Sequence, residues 1–285
     1  MESLRPVLGV DVGATKLAFA IVDPENALVL SASTVETAAE RGGDAILADC
    51  VREADRLASD HEVAAVGIGV CELVNLEGEI TSHVSIDWRN LDIPGAFAHI
   101  GPTQIESDVR AAARAEALHG AGQGLASFLY VNAGSGLSSC LVLDGVPYAG
   151  ARGNAILIGA GPPASEQIAG GTGIALQLGA PSAAAVARSA LAGDTHSRQS
   201  IERGGRAAGA AIAFAVNLLD PQAVVVGGGL ALNAESYWAE LENSARSHIW
   251  ASDTCQLPFL RSSFGSRAGV VGAALTASSS FAEAA

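Results

Sequence analysis

One short segment, DVGATK, has residues suited to binding phosphate and a metal ion. It follows an apolar strand pattern, and a turn at Gly13 and Ala14 lets backbone N–H groups approach phosphate oxygens with no Cβ in the way. Thr15 adds a hydroxyl donor and Lys16 a positive charge. Asp11 is predicted to hold Mg²⁺, directly or through water, because a hard cation prefers carboxylate oxygen. An ordinary solvent-facing hairpin is the alternative interpretation.

A second segment, NAGSGLSS, places Gly134, Ser135 and Gly136 in a corresponding turn. Both turns lie between apolar strand patterns, over residues 7–23 and 128–145, and this weak repeat indicates two similar domains that face each other. Two such turns would bind the phosphates of one nucleotide from opposite sides, so the pair is stronger evidence than either turn alone.

A third glycine segment, VVVGGG, leaves a strand pattern for the start of a helix. Gly227, Gly228 and Gly229 leave room for an adenine or ribose, although tight packing of strand on helix explains them equally well. No Walker A motif is present, and no Glu or Asp follows the second turn at the usual distance on a strand end, which counts against a dinucleotide-binding fold. The glycine turns therefore favour a nucleotide-binding fold of another kind.

The elements that position these turns alternate between strands and helices. The hydrophobic periodicity predicts strands at 63–70, 103–105 and 223–226, and helices at 42–60, 109–122, 166–178, 183–191 and 201–219. This order indicates an α/β chain. We expect an N-terminal α/β domain of residues 1–107 plus a C-terminal helix 266–285, and a C-terminal α/β domain of residues 108–265, with hinges near Ser107 and Gly265.

Composition excludes several classes of function. The 285 residues are 49% hydrophobic and 16% charged, enough for one large core or two moderate ones. A net charge of −14 with no basic run disfavours nucleic acid as a partner. No signal peptide or membrane-spanning apolar run is evident, so a cytoplasmic protein is predicted. The four cysteines and six histidines have no metal-ligand spacing, and the cysteines are interpreted as buried neutral thiols.

Five motifs together resemble a known family: DVGATK, SDVRAAARAEALHGAG, AGSG, NLLDPQAVVVGGG and RAGVVGAAL. Their order along nearly the whole chain is similar to that of the ROK family of sugar kinases and repressors, in the actin and hexokinase-like ATPase superfamily. The resemblance implies an α/β, duplicated ribonuclease H-like (actin-like) two-domain fold with a central interdomain cleft. It also implies ATP and Mg²⁺ as cofactors, and a homodimer.

The resemblance implies that Asp108 is the catalytic base. The family has an Asn-Asp pair at the start of a helix, and here the aligned pair is Ser107-Asp108, so the Asp is kept and the Asn is lost. Both residues are expected to contact the substrate. A carboxylate suits the role because a sugar hydroxyl becomes a good nucleophile when a base at hydrogen-bond distance takes its proton. The alternative is that Asp108 caps a helix beginning at Val109.

The sequence departs from the family in the region that binds sugar. ROK sugar kinases carry a Glu-x-Gly-His motif followed by zinc-binding cysteines. In the aligned stretch GNAILIGAGPPASEQIAGG, Leu157 and Ala160 stand in place of that Glu and His, and no cysteine follows, so no zinc is expected. Glu166 resembles the family Glu at the end of the zinc loop and is predicted to bind a substrate hydroxyl. Asn154, in the same stretch, is predicted to contact the substrate.

These departures leave the phosphate acceptor open. Leu157 cannot accept hydrogen bonds from a hexose, and each buried hydroxyl left unpaired costs roughly 1 to 3 kcal/mol. Glu72 is an extra carboxylate in GVCELVNLEGE that is predicted to bind a hydroxyl or an amine, with a solvated loop residue as the alternative. A cyclitol or pseudosugar therefore fits at least as well as a hexose.

The sequence thus predicts an ATP-dependent kinase that phosphorylates a hydroxyl of a sugar or sugar-like compound. A non-catalytic sugar-binding regulator of the same family is the alternative. A DNA-binding role is disfavoured because the first strand pattern begins by about Val7, with no preceding helix-turn-helix. A dinucleotide oxidoreductase is a weaker alternative, for the reasons given above.

Overall fold

The computed structural model describes residues 5–160 and 165–284, and these form two compact units. Each unit has its own hydrophobic core, one around the aromatic side chains of Phe19 and Phe97 and the other around Tyr237 and Trp238. Unit 1 comprises Met1–Gln123, Pro147–Asn154 and Arg267–Ala285, and unit 2 comprises Gly124–Val146 and Ala155–Ser266.

The sheet of unit 1 has β1 at its centre. Its spatial order is β3-β2-β1-β4-β5, formed by β1 (Val7–Val12), β2 (Lys16–Asp23), β3 (Leu28–Glu36), β4 (Val66–Val70) and β5 (Thr103–Ser107). β1 runs antiparallel to β2 and parallel to β4. β4 is buried along its whole length and β1 at every position except Asp11, as expected for apolar strands covered on both faces.

The sheet of unit 2 repeats this plan. Its order is β10-β9-β6-β7-β8, formed by β6 (Ser127–Ala133), β7 (Leu137–Leu143), β8 (Val146–Pro147), β9 (Ala223–Gly227) and β10 (Phe259–Arg261). β6 runs antiparallel to β7 and parallel to β9, just as β1 does to β2 and β4. The duplicated α/β plan predicted from the two glycine hairpins is therefore confirmed.

Four helices cover the sheet of unit 1: α1 (Gly43–Ala58), α2 (Ile93–Phe97), α3 (Asp108–His119) and α10 (Ala268–Ala284). α10 packs on α3, β1 and β4. This packing assigns α3 to unit 1, whereas the sequence prediction ended the first domain at residue 107. The chain also re-enters unit 1 over residues 147–154, which the sequence did not indicate.

The helices of unit 2 are α4 (Ser165–Ala169), α5 (Gly171–Gln177), α6 (Ala183–Leu191), α7 (Thr195–Leu219), α8 (Gly229–Asn233) and α9 (Glu235–His248). The single helix predicted over 166–178 is wrong in one respect, because it is interrupted at Gly170. There, Gly171 and Thr172 donate their N–H groups to the carbonyls of Gly134 and Ser135, both at 2.9 Å. Hydrogen bonds to the glycine turn replace those of a continuous helix.

Candidate active site

Two carboxylates, Asp11 and Asp108, lie on either side of one glycine in unit 1. Asp11 is next to last in β1 and pairs in register with Gly69 of the parallel neighbour β4. A Cβ on Gly69 would lie 3.7 Å from Asp11 Oδ1 and 3.7 Å from the Cα of Asp108. Asp108 begins α3 directly after β5, so the carboxyl ends of three neighbouring strands bring the two acids together.

Both carboxyl groups resist ionisation. Burial raises the pKa of Asp108 to about 7, and the negative charges of Asp11 and then Glu72 add to this, while the Val109 N–H opposes it. Burial also raises the pKa of Asp11 to about 6, although the charge of Lys16 lowers it. Bringing positive charge to this place would restore the ionised forms, so the electrostatics favour a cation.

The backbone around Asp108 argues for more than helix capping. Ser107 is the N-cap residue and makes no side-chain capping bond, whereas Asp108 is the first helical residue and accepts a hydrogen bond from the Val109 N–H at 2.7 Å. The Ser107 hydroxyl is fully buried and has no hydrogen-bond partner within residues 5–160 and 165–284. Buried hydroxyls are normally paired, so this unpaired group beside Asp108 is an exception that helix capping does not explain.

Sequence reasoning missed Arg110, which holds the surroundings of Asp108 in place. Its guanidinium is 2% exposed and donates to Glu106 Oε1 at 2.6 Å, to the Gly153 carbonyl at 2.6 Å and to the Val74 carbonyl at 2.8 Å. Three chain segments are thereby fixed together, including the one that ends at the exposed residue Asn154. The i, i+4 spacing of Glu106 and Arg110 was the available signal.

Glu72 is a buried residue, not the solvated loop residue of the alternative interpretation. It is 4% exposed, and its carboxylate accepts hydrogen bonds from the backbone N–H groups of Val84, Ser85 and Ile86 at 3.0, 2.6 and 3.1 Å, and from the Ser82 hydroxyl. These four donors make Glu72 the anchor of the 82–86 loop. A substrate contact would have to share the carboxylate with them.

Thr37, which the sequence did not single out, stabilises the turn of the first hairpin through hydrogen bonds. The Gly13 N–H donates to the Lys16 carbonyl at 3.0 Å, which closes the turn. Buried Thr37 donates its hydroxyl to the Gly13 carbonyl at 2.7 Å and its N–H to the Thr15 carbonyl at 3.2 Å. The Gly13 N–H is therefore engaged within the turn, whereas Ala14, Thr15 and Lys16 are exposed. Lys16 is the only lysine in the chain.

In unit 2 the structure brings two predicted glycine turns together. A Cβ on Gly134 would lie 3.9 Å from both the Gly228 Cα and the Gly229 nitrogen, at the carboxyl ends of β6 and β9. Gly228 has φ +90°, and a Cβ there would lie 2.4 Å from the backbone of Ala133. Glycine is therefore required at 228, and the two turns form a single backbone surface.

Glu166 covers this surface at Gly136. Its Oε1 accepts a hydrogen bond from the Leu137 N–H at 3.2 Å and would lie 2.3 Å from a Cβ on Gly136. Leu157 is 54% exposed, and Ala160 is also exposed, in a short 3-10 helix over Ile158–Ala160. Residues 161–164 of the aligned stretch lie outside the described residues.

None of the four cysteines is in a disulfide: Cys50 and Cys140 are buried, and Cys71 and Cys255 are half-buried. Burial raises the pKa of Cys71 to about 12, and the negative charge of Asp108 adds to this, so the thiol stays neutral. Across residues 5–160 and 165–284, no three His, Cys, Asp or Glu side chains form a group that could hold a metal ion by themselves. Nor does any helix in the same residues have the length and apolar character to span a membrane.

Known proteins are similar to this chain over nearly its whole length. The model of the ROK family matches residues 7–280. The chain belongs to the ROK family. Among its relatives, a glucokinase of Streptomyces coelicolor is 26% identical over 306 residues, which cover 94% of this chain and 96% of that protein. The bifunctional enzyme NanE/NanK of Brucella melitensis is 28% identical over 295 residues, which cover 97% of this chain and 54% of that protein.

Solved ROK structures share the fold of the whole chain. A ROK family glucokinase from Streptomyces griseus, in complex with glucose and AMPPNP, has a TM-score of 0.85 and 26% identity, with 96% of this chain and 99% of that chain covered. A ROK hexokinase from Thermus thermophilus has a TM-score of 0.77 and 29% identity, with 98% and 99% covered. The two-domain α/β fold predicted from the family resemblance is confirmed.

Proposed function

We propose that this ROK protein is an ATP-dependent kinase that transfers the γ-phosphoryl group to a hydroxyl of a sugar or sugar-like compound. The observation that carries the proposal is the pair of carboxylates, Asp11 and Asp108, on either side of Gly69. Two relatives, a glucokinase and a hexokinase, support the same reaction class.

Asp108 is the base in this proposal. Its carboxylate takes the proton of the acceptor hydroxyl as that oxygen bonds to the γ-phosphorus, the bond to the bridging oxygen breaks, and ADP leaves with the electron pair. A pKa of about 7 suits the role, because the group is a stronger base than an ordinary aspartate and is still largely ionised just above neutral pH.

The glycine turns bind the nucleotide in this proposal. In unit 1 the donors are the exposed residues that follow Gly13, namely Ala14, Thr15 and Lys16. In unit 2 they are the adjoining turns Gly134, Ser135, Gly136 and Gly227, Gly228, Gly229. The fit rests on space, because the backbone surface formed by Gly134 and Gly228 would be filled by side chains at these positions.

Asp11 fits a Mg²⁺ ion that accompanies the nucleotide. Its carboxylate is half-buried, has a raised pKa of about 6 and accepts no side-chain or backbone hydrogen bond within residues 5–160 and 165–284. A carboxylate oxygen that accepts no hydrogen bond from the protein is suited to bind a hard cation. When bound, the ion neutralises charge on the phosphates. Asp11 holds it, directly or through water.

The acceptor in this proposal is a sugar or a cyclitol-like pseudosugar, bound by Ser107, Asp108, Glu72, Asn154 and Glu166. The exposed amide of Asn154 is available to substrate hydroxyls, and the buried, unpaired hydroxyl of Ser107 would reach one only after a local movement. Leu157 and Ala160 offer no hydrogen bond where the family has Glu and His, which supports an acceptor other than an ordinary hexose.

A screen of ADP formation tests the proposal. Hexoses, N-acetylated amino sugars and cyclitols are each added with Mg²⁺ and ATP to the parent protein, to Asp108→Asn and to Asp60→Asn, a matched change at an exposed aspartate. We expect at least one acceptor to stimulate turnover by the parent and by Asp60→Asn but not by Asp108→Asn. If no acceptor stimulates turnover, the kinase function is wrong. Sugar binding without turnover would then favour the regulator.

A further inference from the structure

The duplication gives Asp11 a counterpart in unit 2, and that counterpart is Asn132. Each residue is next to last in the central strand of its sheet and stands two positions before the first glycine of the turn. Each also pairs in register with a glycine of the parallel neighbour, Asp11 with Gly69 and Asn132 with Gly227. The same backbone position thus carries a carboxylate in one unit and an amide in the other.

The Asn132 side chain lies beside the joined glycine turns. Its Oδ1 would be 3.8 Å from a Cβ on Gly134, the same point that lies 3.9 Å from the Gly228 Cα and the Gly229 nitrogen. Its neighbours Val131 and Ala133 are buried on the other face of the strand, whereas Asn132 is half-buried. Its amide makes no hydrogen bond to any of the residues that the structure describes. Because the half-buried amide is not engaged by another residue, it is accessible to a ligand that binds beside the joined turns.

Unit 2 has few positive charges to offer to a polyphosphate. Its surface contains no lysine, because the only lysine, Lys16, is in unit 1. Five of its six arginines contact a side chain of the same unit: Arg198 with Glu202, Arg203 with Gln177, Arg206 with Glu240, Arg246 with Glu242 and Arg261 with Glu235. The sixth, Arg188, is exposed on α6. Most of the positive charge of unit 2 is therefore paired within the unit, and beside a phosphate an amide is a better neighbour than a carboxylate.

We propose that Asn132 is a nucleotide-binding residue whose amide Nδ2 donates a hydrogen bond to a phosphate oxygen of the bound nucleotide. This rests on the proposed function, since it assumes that the turns of unit 2 bind ATP. The two copies of the hairpin then differ by their chemistry: the Asp11 copy receives a cation and the Asn132 copy receives the anion. Asn132→Asp is nearly isosteric, so it changes the charge and the donor while preserving the shape.

The test measures binding of ATP, ADP and adenosine, each with Mg²⁺, by calorimetry. A hydrogen bond to a charged group contributes about 1.5 to 3 kcal/mol, so Asn132→Asp should weaken ATP binding by roughly 10- to 100-fold. Binding of ADP should weaken less, and binding of adenosine should stay unchanged. Asn132→Ala removes the same donor without adding a negative charge, so it should weaken ATP binding by roughly 10-fold, at the lower end of that range.

Asn217→Asp is the matched control. Asn217 is exposed two residues before the end of α7, close to the amino end of β9 and hence at the edge of the sheet opposite to the turns. Its amide donates to the His248 carbonyl at 3.0 Å and accepts from the Trp250 N–H at 2.9 Å, so the thermal unfolding of this variant is compared with that of the parent. The Asn217→Asp substitution adds the same charge to unit 2 and should leave the ATP affinity within about twofold of the parent. Screening removes most of the repulsion between this charge and the phosphates at such a distance.

The outcomes separate the inference from the function on which it rests. If the parent binds none of the three ligands, the proposed function is wrong and the inference is wrong with it. If the parent binds ATP and both Asn132 variants bind it equally well, the inference alone is wrong. Equal weakening of adenosine and ATP would show a structural role and would also overturn it, as would tighter binding of Mg²⁺ and ATP by Asn132→Asp.

Discussion

The two glycine hairpins have one backbone plan and two different charge patterns. The hairpin of unit 1 has Asp11 before its turn and Lys16 after it, and its sheet brings a second acid, Asp108, to the same edge. The hairpin of unit 2 has Asn132 and Leu137 at the two corresponding positions, and its sheet brings a second glycine turn instead. Duplication thus provides matched geometry, while a few side chains at the strand ends determine the chemistry.

The largest expected effect is the loss of turnover in Asp108→Asn. Removing a general base lowers kcat by roughly 10²- to 10⁴-fold, and we expect about 10³-fold here, with ATP affinity changed little. Steady-state kinetics beside Asp60→Asn measure this. If Asp108→Asn retains more than about a tenth of the parent kcat, Asp108 of unit 1 is not the base.

The same variant should be more stable than the parent at alkaline pH. The folded pKa of Asp108, about 7, exceeds the ordinary value of 3.8, so its contribution to stability falls as pH rises from about 4 to 7. Asp108→Asn removes this penalty. The free energy of unfolding should rise by roughly 1 to 3 kcal/mol at pH 8, less than the full shift since Asp108 is partly exposed, and change little at pH 4. Urea unfolding at both pH values measures the difference.

We expect unit 2 to be sensitive to the shape of its glycine turns and not to a charged side chain. In Gly228→Ala, the positive φ and the 2.4 Å approach to the Ala133 backbone act together, and we expect a loss of about 3 kcal/mol in the free energy of unfolding. Gly145→Ala is a matched control, because Gly145 has φ +80° and open space around its Cβ position, so only about 1 kcal/mol is expected. Equal losses would show that the two turns of unit 2 do not meet as described.

Activity, which depends on Asp108 of unit 1, should vary with pH, whereas adenosine binding by unit 2 should not. Because Asp108 must be ionised to act as a base, kcat/KM for the acceptor should fall by up to about tenfold per pH unit below its pKa of about 7, and bound Mg²⁺ would move this limb lower. Between pH 7.5 and 5.5 we expect roughly a 25-fold decrease. Adenosine binding, which depends on the neutral turns of unit 2, should be constant over the same range. A pH-independent kcat/KM would contradict the role of Asp108.

The smallest expected effect concerns Thr37, which supports the turn of unit 1. Thr37→Val keeps the shape and removes the hydroxyl that donates to the Gly13 carbonyl. The loss of about 1 kcal/mol of hydrogen bonding should raise the KM for ATP by roughly 3- to 10-fold with little change in kcat. Thr34→Val, at an exposed position on β3, is the control. An unchanged KM would mean that the turn is positioned without Thr37.

The sequence alone determined the parts that depend on local chemistry. Apolar runs specified the central strands, and glycines at Gly13, Gly134 and Gly228 marked the turns, because only glycine leaves room for backbone to approach closely. The matching plan of the two hairpins was visible because side-chain alternation and turn residues are local signals. Asp108 was found through the family resemblance, and its role stays a prediction that the experiments above test.

Tertiary structure alone decided what depends on residues distant in the chain. α3 belongs to unit 1 because it packs on α10, about 150 residues later, and no periodicity within α3 contains that information. Glu72 is buried because the 82–86 loop folds over it, and Arg110 and Thr37 matter through bonds to carbonyls that sequence spacing does not reveal. The raised pKa of Asp108 likewise follows from burial and from the approach of Asp11, since both are properties of packing and not of the residue itself.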